Sequence, residues 1–420
     1  MTPAASTAER AVLDAVDPTF IVDALQELVA VPSVSGDETP AQRQMAHVLG
    51  RIGADVEMFD LDGDALRAHP AYSAEFERPD AVGVVGAIGE GGAGATLWLN
   101  GHVDVVPTGD PRGWDHDPFT PTVVGRRLYG RGACDTKGGL AAAVGAVKAI
   151  VDAGATLPGR VLVTPVVGEE DGGCGTLGAL LHGVTADGAI VLEPTRMAVS
   201  PAVAGALSFR ITLRGRAAHG CLREEGVSAI EKLAPVHAAV LDLERRRNRR
   251  AAEPLFSWLD SPFAICTGRL EAGDWASSEA DWLRLEGRYG VAPDEDVRAA
   301  RAEFEAAVAA AARGDVWLTR NPPAVEWVGG QFLPGRTDVS ESLVGTVTSA
   351  VGDVRDRAAE VVGQPYGCDL GLLRAVGDVP AVVFGPGDIR QAHTTDEWVD
   401  LDDVIASARI LALAAVRFCS

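Results

Sequence analysis

The chain is short of positive charge: 37 lysines and arginines stand against 59 aspartates and glutamates, a net charge of −22 over 420 residues. That balance repels nucleic acid and anionic membrane surfaces, so neither is expected as a partner. Paired cysteines are also missing. Cys134, Cys174, Cys221, Cys266, Cys368 and Cys419 show no CxxC or paired spacing, which argues against a disulfide framework. The opening stretch "MTPAASTAERAVLDAV" lacks a basic segment followed by an apolar core, so no secretory signal is expected. Apolar stretches such as "GGLAAAVGAVKAIVDAG" are interrupted by Lys148 and are too short to span a bilayer. No low-complexity tract or short-period repeat occurs. The expected location is the cytoplasm.

What is present is material for a large core. Hydrophobic residues make up 47% of a length that suits two domains, or one domain with a large insertion. The runs "VGVVGAI", "ATLWLN", "RVLVTPVV", "GAIVLEP" and, far downstream, "PAVVFG" read as buried strands between helices. Thr39 and Pro40 read as an N-cap and first-turn proline opening one helix. This pattern predicts an α/β fold, a mixed sheet covered by helices. From about Val203 to Glu326 the order changes to strand, helix, strand, strand, helix, strand. That βαββαβ order is a ferredoxin-like α+β unit inserted in the α/β chain. The expected boundaries are 1–203, 204–333 and 334–420. The spacing Gly89-x-Gly91-x-x-Gly94 fits the dinucleotide fingerprint by letter, but it opens no helix and reads as a hairpin turn between two strands.

Chemistry-bearing residues gather where these runs stop. "LWLNGHVDVVP" places His102 at a strand end with Asp104 two residues on, a spacing that aims the Asp104 carboxylate at the inner ring nitrogen. "GRGACDTKGG" puts Asp135 in a glycine-rich turn opening a helix. "VVGEEDGG" ends a strand with Glu169 and Glu170, "AIVLEPT" ends another with Glu193, and "VVFGPGDIRQAHTTDEW" carries Gly387 and His393 after a third. In open α/β sheets that carboxyl edge is where sites form. Two histidines and at least three carboxylates suffice for two divalent ions bridged by one carboxylate. The mixed nitrogen and oxygen donors suit zinc best, with cobalt or manganese as alternatives. The paired glutamates then have a use: one binds a cation, and the other stays free as a proton carrier, its pKa raised by its neighbour. Cys134 and Cys174 read as packing residues rather than nucleophiles.

In these motifs the chain resembles the dinuclear zinc amidohydrolases that include acetylornithine deacetylase, succinyl-diaminopimelate desuccinylase, aminoacylase and glutamate carboxypeptidase. The resemblance runs from "VPSVSGDE" to the C-terminal helix. It implies that His102, Asp135 and Glu193 hold one metal, with Asp135 bridging, and that Glu170 and His393 hold the second. It makes Glu169 the general base and implies a cis peptide after Asp135. The inserted unit corresponds to the family's lid, through which members form homodimers. There "GRAAHG" supplies His219 as the oxyanion-stabilising histidine, borrowed from the partner chain, and "LEGRYGV" offers Arg288 for a substrate carboxylate. Gly387 joins Arg288 as a substrate-binding candidate. The implied reaction is deacylation of an N-acyl amino acid, with dipeptidase or carboxypeptidase activity on short peptides as the alternative. "GCLREEG" and "SSEADW" depart from the family pattern and leave the substrate open. Two other classes fit less well. A dinuclear phosphoesterase favours cationic clamps that these acidic motifs lack, and a non-catalytic metal-binding protein has no need of Glu169.

Overall fold

The computed structural model describes residues 6–250 and 253–420, so the first five residues of the amino-terminal stretch lie outside it. The chain divides into two compact units. One takes the residues through Ala202 with Arg336–Gly363 and Cys368–Ser420; the other takes Val203–Gly335 with the four residues Gln364–Gly367.

The first unit is built on a six-stranded sheet in the order Asp55–Asp60, Val82–Gly89, Arg160–Val166, Thr96–His102, Gly188–Val191, Ala381–Val383. The last four run parallel to one another, and Val82–Gly89 runs antiparallel to its two neighbours. The parallel strands are buried along nearly their whole length, which is why they read as unbroken apolar runs. Helix Gly138–Asp152 is alanine-rich and buried on almost every side. Alanine loses no side-chain entropy there and lets neighbouring helices approach closely. It packs with Pro18–Val29 and Leu401–Phe418. Pro18–Val29 presents Ile21, Ala24, Leu25, Leu28 and Val29 as one apolar stripe, and Asp17 caps its first turn.

Two local expectations change. Thr39 is the first residue of helix Thr39–Arg51 rather than its cap, because its hydroxyl donates to the carbonyl of Asp80 at 2.9 Å. The Gly89–Gly94 segment is not a hairpin turn, since Arg160–Val166 lies between the two strands it joins. Its amides turn instead to the carbonyls of Leu157, Pro158 and Gly159, just ahead of that intervening strand.

In the second unit the sheet order is Ile265–Ala272, Trp282–Val291, Gly205–Arg214, Ala324–Phe332, with every neighbour antiparallel. This is the expected split-βαβ arrangement. Along Gly205–Arg214 the buried Leu207, Phe209, Ile211 and Leu213 alternate with more exposed residues, so one face is apolar. Helices Ala229–Arg250 and Val297–Ala312 pack together, and Val236, Val240, Leu243, Phe304 and Val308 join the core of that face.

Candidate metal centre

Because the last four strands of the six-stranded order run parallel, their carboxyl ends share one edge of the sheet, and the acidic and histidine motifs meet there. His102 is the last residue of its strand and is fully buried. Its Nδ1 donates to the backbone carbonyl of Asp104 at 2.8 Å, leaving Nε2 to face Asp135 Oδ1 at 3.2 Å and Glu193 Oε1 at 3.9 Å. The expected partner was the Asp104 carboxylate, which stands 3.7 Å from Nδ1. The Asp104 carboxylate instead accepts the amides of Glu169 (3.2 Å) and Glu170 (3.0 Å), and so orients the paired glutamates.

Asp135 sits in the turn Ala133–Lys137, and the Asp135–Thr136 peptide is cis. Its two oxygens face different partners. Oδ1 faces His102, while Oδ2 lies 3.4 Å from His393 Nε2, which is itself 3.1 Å from Glu170 Oε1. Donor atoms of His102, Asp135 and Glu170 lie within 4.8 Å of one another, as do those of His102, Glu169 and Glu193.

The electrostatics show what this cluster demands. Burial pushes Glu169 well above the ordinary carboxylate range, and the charge of Glu193 adds more than that of the adjacent Glu170. The neighbour expected to raise Glu169 is therefore the lesser contributor. Burial likewise raises Glu193 and Glu170. Burial alone would also raise Asp135, but hydrogen bonds from His102 and His393 pull it far down. Donating to the Asp135 and Glu170 carboxylates lifts His393 to about 10. Among the described residues no lysine or arginine pairs with Asp135, Glu169, Glu170 or Glu193, and the buried Glu193 Oε1 has no hydrogen-bond partner. Three buried carboxylates, one with an orphaned oxygen, the half-buried Glu170, and two imidazoles with Nε2 turned inward fit divalent cations.

Other expected residues lie elsewhere. Gly387 follows strand Ala381–Val383 with φ +85°, and a Cβ there would come within 2.6 Å of Cys134 Sγ, so it backs the Asp135 turn. Burial raises the Cys134 and Cys174 thiols, the latter to about 12, as suits packing residues. His219 and Arg288 belong to the second unit. His219 is exposed, and its Nδ1 accepts the Cys221 amide at 3.2 Å, which places the ring proton on Nε2. Arg288 is half-buried and donates to the carbonyl of Pro365 at 2.7 Å, and among the described residues no carboxylate pairs with it. Sequence reading missed two buried carboxylates. Glu397 binds the backbone of the Asp135 turn, and Asp369 accepts the Thr176 hydroxyl. Asp369 carries no sequence signal, whereas Glu397 stands inside the quoted "AHTTDEW".

Residues 98–417 match the profile of peptidase family M20/M25/M40. The chain belongs to this family. It is 31% identical to the N-formyl-4-amino-5-aminomethyl-2-methylpyrimidine deformylase of Bacillus subtilis (strain 168) over 77% of this chain and 80% of that one. It is 27% identical to the acetylornithine deacetylase of Pectobacterium atrosepticum over 96% of this chain and 98% of that one. The dipeptidase Dug1p of Saccharomyces cerevisiae shares the fold, with a TM-score of 0.75 at 14% identity, covering 98% of each chain. As an M20/M25/M40 member the chain is a metal-binding hydrolase of amide bonds. Among the described residues no helix is long and apolar enough to cross a membrane.

Proposed function

We propose that this M20/M25/M40 member removes the acyl group from an N-acyl amino acid with the help of two divalent ions. The observation that carries the two-ion reading is Asp135, whose oxygens turn to different histidines. His102, Glu193 and Asp135 would hold one ion, and Asp135, Glu170 and His393 the other. Zinc is the best match to this donor set. Bound there, the ions would supply Lewis acidity and bring the pKa of a water toward neutrality.

Glu169 takes the proton from the attacking water and delivers it to the departing amine nitrogen. Its backbone is held by the Asp104 carboxylate, which fixes the base beside the ligand Glu170. His219, with its proton on Nε2, donates to the oxyanion. We assign His219 to the partner chain's site, in a homodimer formed through the second unit. That unit ends in exposed sheet edges suited to pairing. Arg288 supports a substrate that carries a carboxylate, because among the described residues this half-buried cation pairs with a carbonyl and with no carboxylate. Gly387 lets the chain pass close behind the Asp135 turn at the substrate end. The acidic balance supports a cytoplasmic setting.

The two relatives named above are a deformylase and a deacetylase, which favours acyl removal over peptide cleavage. The test is a panel of N-acetyl, N-formyl, N-succinyl and N-carbamoyl amino acids, dipeptides and the formylated aminomethylpyrimidine, assayed with zinc. Turnover of N-acyl amino acids, with KM raised in Arg288→Ala, is expected. Turnover confined to dipeptides or to the pyrimidine, which has no carboxylate, would refute the proposal.

A further inference from the structure

Glu397 is 1% exposed and has no ligand role, yet it collects four donors. Its Oε1 accepts the amides of Cys134 (2.8 Å) and Asp135 (3.0 Å). Its Oε2 accepts the Gly132 amide (3.1 Å) and Arg131 Nη1 (2.7 Å). All four donors lie within residues 131–135, the stretch that leads into the turn and presents Asp135. The same residue ends the loop that presents His393, four positions earlier in the chain. Backbone pairing continues the tie. The Gly130 amide donates to the Glu397 carbonyl at 2.9 Å, and Trp398–Asp400 runs antiparallel to Arg127–Tyr129. Asp396 accepts the amides of Asp115 and His116, which anchors the loop a second time.

The four donors leave no room for a donor on the other side. A glutamine here would turn an NH₂ group against a backbone N–H or against Arg131, so only an ionised carboxylate satisfies the set. We infer that Glu397 is the positioning residue that holds Asp135 and His393 in one register, so that tight binding of the ion assigned to Asp135, Glu170 and His393 requires it. This rests on the two-ion reading above and adds a residue that acts only through the ligands.

The experiment titrates metal-free wild-type and Glu397→Gln chains with zinc against a chelating indicator. Melting of the metal-free chains and hydrolysis as a function of added zinc are followed in parallel. Wild type is expected to take up two ions. Glu397→Gln is expected to keep one tight ion and to bind the other about 10–100-fold more weakly. Its turnover should be low at stoichiometric zinc and recover in excess zinc, a rescue that a general loss of structure does not allow. Two ions at wild-type affinity in folded Glu397→Gln would overturn the inference. If that variant does not fold, Glu397→Asp, which keeps the charge but draws the carboxylate back from its four donors, takes over. The same selective weakening is expected, and unchanged affinity for both ions overturns the inference. A wild-type chain that takes up fewer than two ions instead removes the two-ion reading and this inference with it.

Discussion

Neighbouring Glu169 and Glu170 have similar burial but different partners, and a substitution at each should be read differently. Glu170 touches His393, whereas Glu169 has Glu193 as its strongest charged neighbour. Glu169→Gln is expected to keep both ions and lose about 10²–10⁴-fold in kcat, because only the proton carrier is gone. Glu170→Gln is expected to release one ion. Metal analysis of both purified variants, set beside kcat, decides this; the reverse pattern would exchange their roles. Asp369 supplies a pH dependence that is independent of turnover. Burial raises its carboxyl from 3.8 to about 6. Below 3.8 both folded and unfolded chains hold the proton. Between 3.8 and 6 the unfolded chain has released it while the folded one has not, so stability falls as pH rises through that window. Asp369→Asn should therefore stabilise the metal-free protein at pH 8 and gain much less at pH 4. Melts at the two pH values measure the difference, and an equal gain at both would reject the assignment.

At the scale of elements, the site depends on how closely helix Gly138–Asp152 approaches the chain after strand Gly188–Val191. A Cβ on Gly139 would lie 2.4 Å from the Leu192 carbonyl oxygen, one residue before Glu193. Backbone cannot give way as a flexible side chain does, so Gly139→Ala must push the helix start and the Glu193 segment apart. Overpacking of this kind costs about 1–3 kcal/mol. A lower melting temperature with weakened zinc uptake is the expected outcome, and unchanged zinc affinity would show that Glu193 tolerates the shift. Lys137, two residues earlier, anchors the same helix start by donating to the carbonyls of Leu28 and Val31, both at 3.0 Å, near the end of helix Pro18–Val29.

At the scale of the whole molecule, the assignment of His219 to a partner chain makes a complementation experiment decisive. Glu169→Ala and His219→Ala chains are each expected to be inactive. Mixed and allowed to exchange subunits, they would form a dimer with one site that has its own Glu169 and the partner's intact histidine. Activity should return. If exchange is verified by mass and activity stays at zero, the histidine serves its own chain or takes no part.

The primary structure alone determined the directional features of this protein. Each motif stands at the end of an apolar run or at the opening of a helix, and parallel strands necessarily bring such ends to one sheet edge. His102, Asp135, Glu169, Glu170, Glu193 and His393 could therefore be grouped before any contact was known, with the choice of Glu170 as the ligand implied only by the family resemblance, and βαββαβ order marked the inserted unit. Strand order and hydrogen-bond partners were decided only in three dimensions. Arg160–Val166 enters between strands that are adjacent in sequence, which no local pattern encodes. The Asp104 carboxylate serves amides 65 and 66 residues away rather than the nearby imidazole, and Glu397 reaches back more than 260 residues to the Asp135 turn. Such partners are chosen by which buried N–H groups lack an acceptor once the chain is packed, and that need arises only when folding has taken water away from them.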